Sequence, residues 1–326
     1  MNERHRGCLC IISRFSLIAF SSRQALWDFS LAAQLDQSGR TLNHTYNDIA
    51  HFRDANYTFP TMSDTESVLG NGDDLFREPE DFYKPEDPPS FDTYERKPEL
   101  VRASEPSKIT LRLVGKSPLW GHLLWNASKV TANYLDMNGS RLLSNKTVLE
   151  LGAGAGLPSF IAAIHDARKV VITDYPEADL IANIDYNVDK YARESHVERT
   201  DRERFRVAGY IWGNDTEQLC KFLPEGSDGY DLIILSDVIF NHSEHAKLLA
   251  TCWNCLSRRN SDSKVFVVFT PHRARLFHRD LQFFEDAIQL GFKVEKLFEE
   301  KWWPMFEEEE DTKDIRSMVY GYFLSF

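Results

Sequence analysis

A glycine-rich stretch at residues 148–158 constrains the fold more than any other part of the sequence. An apolar run that contains the acid Glu150 leads into three glycines at alternate positions, Gly152, Gly154 and Gly156, and helix-forming residues follow at once. This order predicts a strand, a tight turn and a helix. Glycine adopts the positive φ angles of such turns at little cost, and its missing side chain lets a ligand approach the backbone. We therefore expect an α/β fold with a nucleotide-type ligand at this turn.

Strands and helices alternate along most of the chain after this turn. Apolar runs predict seven strands, at residues 148–151, 169–173, 205–211, 230–235, 265–270, 292–298 and 318–324. Strands separated by helices pair in parallel through right-handed crossovers. No helix is expected between the last two strands, so one strand should be antiparallel. The sequence thus predicts a Rossmann-like α/β sheet of seven strands, mostly parallel with one antiparallel strand, and helices on both faces.

Polar or aromatic residues follow four of the predicted strands, where open α/β sheets bind their ligands. The glycine turn follows the first strand, and Asp174 follows the second, 22 residues after Gly152. A carboxylate at that place can accept hydrogen bonds from both hydroxyls of a ribose. Trp212 follows the third strand and offers a surface for adenine, while Ser236 and Asp237 follow the fourth.

NAD and S-adenosylmethionine both fit a glycine turn followed by a ribose-binding acid. The dinucleotide fingerprint spaces its glycines G-x-G-x-x-G. Here the third glycine, Gly156, comes one residue early, and Leu157 takes the expected position. No P-loop pattern occurs, so ATP is not expected.

Composition narrows the class of protein further. The 326-residue chain carries a formal net charge of −12, which argues against sequence-independent nucleic-acid binding and would suit a basic partner. Its five cysteines are too few and too scattered for a disulfide scaffold. Cys252 and Cys255 form one CxxC motif without a second pair, so no metal site is expected. The apolar run at residues 8–20 is split by Arg14 and too short for a membrane span, which needs about 20 apolar residues.

The sequence predicts three regions. Residues 1–61 contain no lysine and fit a targeting leader, a poorly ordered extension or, as we favour, an upstream stretch that is not translated, since Met62 begins a plausible protein start. Residues 62–108 form an acidic, proline-rich segment, with twelve Asp or Glu against four Lys or Arg up to position 100. We expect a solvated tail there, or alternatively a flap over the substrate site. Residues 109–326 hold the α/β domain, which a short strand at residues 109–113 begins.

Several motifs together carry a resemblance to a known family. The glycine turn at residues 150–156, the strand-ending Asp174, the Trp212-Gly213 pair and residues 236–240 resemble the seven-β-strand class I methyltransferases. Within that class the chain is similar to the protein methyltransferases of translation factors and chaperones, and most of all to the fungal elongation factor methyltransferase 7 family. Further motifs that carry this similarity lie at residues 117–126, 209–215, 241–247 and 303–308.

The resemblance implies an enzyme with S-adenosylmethionine as cofactor. It implies a cytoplasmic protein N-methyltransferase that acts on the N-terminal glycine and adjacent lysine of elongation factor 1-alpha. Carried over by position, it implies that the cofactor is surrounded by Trp125, Gly152, Ala153, Gly154, Asp174, Trp212 and Ser236. It also implies that Asp237 and Phe240 face the methyl-accepting amine. Related lysine methyltransferases often have tyrosine at the latter place, and Phe240 lacks that hydroxyl.

Some alternatives remain open at the level of the sequence. A small-molecule N-methyltransferase, acting for instance on nicotinamide, would share every cofactor residue. A non-catalytic module that docks on the translation machinery is a second alternative. Asp237 could instead cap a following helix, and His242 and His245 could be structural or relay a proton. The acidic run at residues 307–311 could be solvated or could receive a basic substrate tail.

Overall fold

The computed structural model describes residues 87–115, 120–194, 200–305 and 312–326. The predictions for residues 1–61, for residues 62–86 of the acidic segment and for the acidic run at 307–311 lie outside the described residues.

A two-stranded antiparallel sheet precedes the main sheet. It pairs β1 (Ser90–Glu95) with β2 (Lys108–Leu113), so that Ser90 lies opposite Leu113. The strand predicted at residues 109–113 is confirmed. Strand β1 lies at the end of the acidic segment and was not predicted. Its pairing with β2 orders residues 90–95, although Tyr94 is its only buried residue.

The main sheet has seven strands, as predicted. In chain order they are β3 (Thr147–Leu151), β4 (Lys169–Asp174), β5 (Phe205–Gly209), β6 (Leu232–Ser236), β7 (Lys264–Phe269), β8 (Lys293–Lys301) and β9 (Met318–Ser325). Their order across the sheet is β5-β4-β3-β6-β7-β9-β8. Only β9 runs antiparallel to its neighbours, β7 and β8. The predicted α/β class with one antiparallel strand is therefore confirmed.

Helices cover both faces of this sheet. They are α1 (Asn126–Leu142), α2 (Leu157–Ile164), α3 (Ala178–Glu194), α4 (Thr200–Arg204), α5 (Glu217–Cys220), α6 (His245–Cys255), α7 (Phe277–Leu290) and α8 (Lys313–Arg316). The sequence pattern missed α8, a four-residue helix between the last two strands. It also extended the third strand to residue 211, although β5 ends at Gly209.

The central strands are apolar throughout because both faces of the sheet are buried. All five residues of β3 are buried, and successive side chains point to opposite faces, so Val148 joins one apolar cluster and Leu149 the other. Leu232 and Ile233 alternate in the same way. Strand β8, at the edge of the sheet, is mostly half-buried or exposed. Among the described helices, none combines the length and the apolar character needed to cross a bilayer.

A buried ion pair fastens the two-stranded sheet to the helices. The guanidinium of Arg96, just after β1, donates to both carboxylate oxygens of Asp136 on α1, at 2.8 and 2.9 Å. His165 Nε2 lies 2.7 Å from one of these oxygens, and both side chains of the ion pair are fully buried. Burial by itself would raise the pKa of Asp136, but hydrogen bonds from His165 and Arg96 lower it below its usual value.

Asn187 on α3 connects the same small sheet to the glycine turn. Its side-chain amide donates to the carbonyl of Arg112 in β2, at 2.9 Å, and to the carbonyl of Ala155, at 3.2 Å. The Asn187 side-chain carbonyl accepts from the Arg112 N–H at 2.8 Å. The turn is thus supported from outside the main sheet.

Candidate functional site

A pocket of about 510 Å³ opens where β3, β4, β5 and β6 end, beside the point at which the strand order reverses. All nine residues predicted for the site line it. They are Trp125, Gly152, Ala153, Gly154, Asp174, Trp212, Ser236, Asp237 and Phe240. The structure therefore brings the predicted residues together, while their individual roles stay predictions.

The glycine turn forms the floor of the pocket. Gly152, Gly154 and Gly156 have φ angles of +71°, +56° and +83°. The N–H groups of Gly152 and Ala153 both donate to the carbonyl of Thr173 in β4, at 2.9 and 3.0 Å, and hold the turn against the neighbouring strand. Since positive φ is strained for other residues, the alternate glycines are required by the backbone itself.

Gly152 and Gly154 serve the pocket differently. A Cβ atom added at Gly154 would meet nothing within 4 Å, so it would project into the open pocket. One added at Gly152 would lie 2.6 Å from Val238 and 3.1 Å from the Trp212 ring. The expectation that both glycines leave room for a ligand is therefore right for Gly154, whereas at Gly152 the missing side chain makes room for protein groups. The open cradle at Gly154 fits the close backbone approach that S-adenosylmethionine needs.

Asp174 ends β4 next to this cradle. Its Oδ2 accepts from the Gly154 N–H and its Oδ1 from the Tyr175 N–H, both at 2.7 Å. Burial raises the pKa of Asp174, and these two backbone hydrogen bonds oppose the rise. Each carboxylate oxygen can accept more than one hydrogen bond, so Asp174 keeps acceptor capacity for two ribose hydroxyls.

Replacing Asp174 with asparagine is expected to weaken the binding of S-adenosylmethionine. Hydrogen bonds to a charged group contribute about 1.5–3 kcal/mol, so the Kd should rise roughly tenfold to a hundredfold. Isothermal titration calorimetry measures this Kd, and Asp179→Asn, at an exposed position of α3, is the matched control. An Asp174→Asn protein that binds as tightly as the control would contradict the assignment.

Aromatic side chains form the walls of the pocket. Trp125 immediately precedes α1, and its Nε1 donates to the carbonyl of Trp120 at 3.2 Å. The Trp120 backbone has a φ of +62°, rare for a bulky residue, and its half-exposed ring lies edge-on to Trp125 at 6.2 Å. Both tryptophans line the pocket.

Asp237 also lines the pocket, just after β6. It is buried and has a φ of +60°, a strained conformation that clusters at functional sites. Its Oδ1 accepts from the Thr270 N–H at 3.1 Å, and His272 Nε2 lies 2.9 Å from its Oδ2. The helix-cap alternative is wrong, because both oxygens are bonded to the segment after β7 and α6 begins only at His245.

Ser236 and Phe240 flank Asp237 in the same loop. The hydroxyl of Ser236 lies 3.2 Å from the hydroxyl of Thr131 on α1. This hydrogen bond connects the end of β6 to α1. Phe240 is half-buried, and its backbone carbonyl accepts from the guanidinium of Arg273. The loop is therefore held from both sides of the pocket.

The structure places one histidine, His272, in contact with a lining residue of the pocket, and two others away from the pocket. His272 follows β7 by three residues. The site residues predicted from the sequence follow the first four strands, and the same search after the fifth strand would have found His272. His242 lies 2.6 Å from Asp280, and His245 donates to the Ile239 carbonyl at 2.7 Å. Burial lowers the pKa of His245. Neither of these two lines the pocket, so the structure favours the structural interpretation for both.

Glu150 lies beneath the glycine turn and is fully buried within β3. Its carboxyl group accepts from the N–H and the hydroxyl of Ser159 on α2. Burial raises its pKa to about 8, although the bonds from Ser159 oppose the rise. The folded protein therefore binds the Glu150 proton more tightly than the unfolded chain. The resulting stability is fully present below the ordinary pKa of 4.5 and is lost as the pH rises through about 8.

Glu150→Gln is expected to remove this pH dependence, because the amide resembles the protonated acid at every pH. Between pH 5 and 8 the unaltered protein should lose about 1.4 kcal/mol of stability per pH unit relative to the variant. Urea unfolding followed by circular dichroism over this range measures the difference. Glu177→Gln, at an exposed position, is the control, and parallel stability curves for Glu150→Gln and the unaltered protein would refute the prediction.

Comparison with known proteins supports the predicted family. A family model described as lysine methyltransferase matches residues 107–289. The protein N-terminal and lysine N-methyltransferase EFM7 of Yarrowia lipolytica is 52% identical over 277 residues, covering 81% of this chain and 99% of the relative. The proteins of the same name from Candida albicans and Schizosaccharomyces pombe are 47% and 40% identical, covering 81% and 76% of this chain and 98% and 93% of their own lengths.

Among solved structures, TYW2 of P. horikoshii in complex with MeSAdo is similar with a TM-score of 0.40 and 14% identity, covering 66% of this chain and 68% of that one. The resemblance inferred from the glycine turn and the loop after β6 is confirmed by the sequence relatives, which match this chain along nearly their whole length. The chain belongs to the lysine methyltransferase family and is an S-adenosylmethionine-dependent methyltransferase.

Proposed function

We propose that the chain methylates the N-terminal glycine and the adjacent lysine of elongation factor 1-alpha in the cytoplasm. The names of the relatives, protein N-terminal and lysine N-methyltransferase, support a protein amine as acceptor. The net charge of −12 supports a basic substrate.

One observation carries this proposal: a buried carboxylate, Asp237, shares the pocket with the cofactor cradle at Gly154 and with the rings of Trp125 and Phe240. A carboxylate attracts an amine and orients it by hydrogen bonding. Aromatic faces attract an amine that arrives as a cation, by about 0.5–2 kcal/mol each. An amine at the end of a flexible chain fits this combination of groups.

Methyl transfer depends mainly on positioning. S-adenosylmethionine supplies a methyl group on a positively charged sulfur, which a neutral amine can accept in line. We propose that the glycine turn, Asp174 and Trp212 hold the cofactor, while Asp237 accepts a hydrogen bond from the amine and orients its lone pair. A protein α-amine, with a pKa of about 7.7–8.0, is partly neutral at physiological pH, whereas a lysine, at about 10.4, must first lose its proton.

A methylation assay on defined acceptors tests the proposal. The full chain is incubated with labelled S-adenosylmethionine and a synthetic peptide that begins with a free glycine followed by lysine, as in the proposed substrate. Mass spectrometry then locates the methyl groups. The matched control peptide has an acetylated N-terminus and arginine in place of lysine. We expect label in the first peptide and in a protein of the size of elongation factor 1-alpha in cell lysate.

The rival functions give different results in the same assay. Label in nicotinamide but in no peptide or protein would favour the small-molecule methyltransferase. Absence of turnover with every acceptor, despite measurable cofactor binding, would favour the non-catalytic module. Imaging of the fluorescently tagged chain tests the cytoplasmic location, and exclusion from the cytoplasm would contradict that part of the proposal.

A further inference from the structure

His272 lies beside Asp237, three residues after the end of β7. Its Nε2 is 2.9 Å from Asp237 Oδ2, and its side chain is one-fifth exposed whereas that of Asp237 is only 4% exposed. The imidazole does not line the pocket itself. Any effect of His272 on an amine in the pocket therefore passes through the groups that it contacts, and Asp237 is the one that it hydrogen-bonds.

We propose that His272 is a positioning residue for methyl transfer, which fixes the carboxylate of Asp237 toward the substrate amine and controls the negative charge that the amine meets. This inference rests on the proposed role of Asp237 as the group that receives the amine.

The hydrogen bonds explain why Asp237 needs this partner. Its backbone is already fixed, because its N–H donates to the Val268 carbonyl at 2.8 Å, but rotation of a carboxylate about its last side-chain bond is only weakly restricted. The Thr270 N–H holds Oδ1, and His272 holds Oδ2. When both contacts are made, the carboxylate plane of Asp237 is fixed, and the free lone pairs of its two oxygens keep a fixed orientation. Without His272, Oδ2 would lack a partner at a buried position and the carboxylate could turn.

The imidazole ring is itself fixed by the aromatic walls of the pocket. It lies edge-on to Trp125, with ring centres 4.8 Å apart, and edge-on to Phe240, at 6.3 Å. Edge-to-face pairs at these distances are attractive. His272 therefore joins the two aromatic residues to the carboxylate, so that these three groups of the pocket share one support.

The protonation state of His272 changes what the amine meets. A charged imidazolium beside Asp237 leaves a pair with no net charge, whereas a neutral imidazole leaves the full negative charge of the carboxylate. Burial by itself would lower the pKa of His272, but the charge and the hydrogen bond of Asp237 raise it above the usual value. The other charged groups that act on the ring are Arg316 on α8 and Asp280 on α7, with opposite effects. Attraction of a cationic amine should thus strengthen as the pH rises through this pKa.

Two substitutions separate the hydrogen bond from the charge. In His272→Gln the amide can still donate to Oδ2 but cannot titrate, whereas His272→Ala removes the bond. The probe is the synthetic peptide with a free N-terminal glycine followed by lysine, assayed between pH 6 and 9. His278→Gln, an exposed histidine of α7, is the matched control. The titration of the peptide amine is the same for all variants and cancels in the ratio of their rates.

We expect His272→Ala to lower kcat/KM about tenfold to a hundredfold, as a displaced reacting group does, with an unchanged Kd for S-adenosylmethionine. For His272→Gln, the ratio of its kcat/KM to that of the unaltered protein should fall severalfold from pH 6 to pH 9, because only the unaltered protein gains negative charge over this range. A purely structural role would lower the rate without altering its pH profile.

The results distinguish failure of this inference from failure of the proposed function. Suppose that Asp237→Asn is impaired. The inference alone would then be overturned if His272→Ala were as fast as the His278→Gln control, or if His272→Gln kept the pH profile of the unaltered protein. An Asp237→Asn protein that is fully active would overturn the proposed role of Asp237 and the inference with it. If thermal melting shows that His272→Ala does not fold, the pH profile of His272→Gln decides.

Discussion

Replacing Asp237 with asparagine is expected to reduce methyl transfer to a peptide amine by roughly a hundredfold. The loss corresponds to about 2–3 kcal/mol, the usual contribution of a hydrogen bond to a charged group. Asparagine tolerates the positive φ of this position and its carbonyl can still accept from the Thr270 N–H, so the fold should be kept. Its amide, however, would face His272 with a donor and would offer the amine no negative charge.

The kinetic constants identify the step that is affected. Steady-state rates with the peptide should fall, while the Kd for S-adenosylmethionine measured by calorimetry should stay within twofold, since Asp174 and the glycine turn are untouched. Asp262→Asn is the matched control, because this exposed residue precedes the opposite end of β7. Equal rates for Asp237→Asn and the control would remove Asp237 from the amine site.

Replacing Asp136 with alanine is expected to have the largest effect on stability. The guanidinium of Arg96 is fully buried and would lose its bidentate partner. Removing one member of a buried ion pair costs about 3–5 kcal/mol, a large part of the 5–15 kcal/mol that keeps an ordinary protein folded. Urea unfolding should show a correspondingly lower midpoint, and β1 should become accessible to hydrogen exchange.

Two further variants test the physical reason for this loss. The double substitution Arg96→Met with Asp136→Leu removes both charges and should recover much of the stability, because apolar pairs of similar size replace buried ion pairs well. Glu95→Ala breaks the ion pair between Glu95 and Lys108, in which both side chains are more than half exposed. We expect this variant to change the free energy of unfolding by less than about 1 kcal/mol. If Asp136→Ala costs no more than Glu95→Ala, the network does not anchor the small sheet.

The sequence predicted the parts of the molecule that depend on local patterns. Unbroken apolar runs such as residues 232–235 belong to strands buried on both faces, and the glycine turn needs positive φ angles that only glycine adopts easily. The order of strands and helices then places the carboxyl ends of the parallel strands at one edge of the sheet. For this reason the residues after the first four strands could be grouped into one site before any coordinates existed.

The parts that could not be predicted depend on contacts between distant segments. The buried ion pair just after β1 joins Arg96 to Asp136, 40 residues away. The strand-end rule could have included His272, but its contact with Asp237, 35 residues earlier, depends on β6 and β7 being neighbours in the sheet. No periodicity marks such pairs, since each partner is an ordinary polar residue in its own segment.

The order of the strands in the sheet has a consequence for biogenesis. Strand β9 lies between β7 and β8, yet it is synthesised after every other strand of the sheet. Until it leaves the ribosome, β8 has no partner in the main sheet and the edge of β7 is unpaired. Unpaired edges of this kind recruit other chains. A ribosome that stalls before residue 318 should therefore carry an aggregation-prone nascent chain with unpaired strand edges. We expect chaperones to be needed most during the last steps of translation.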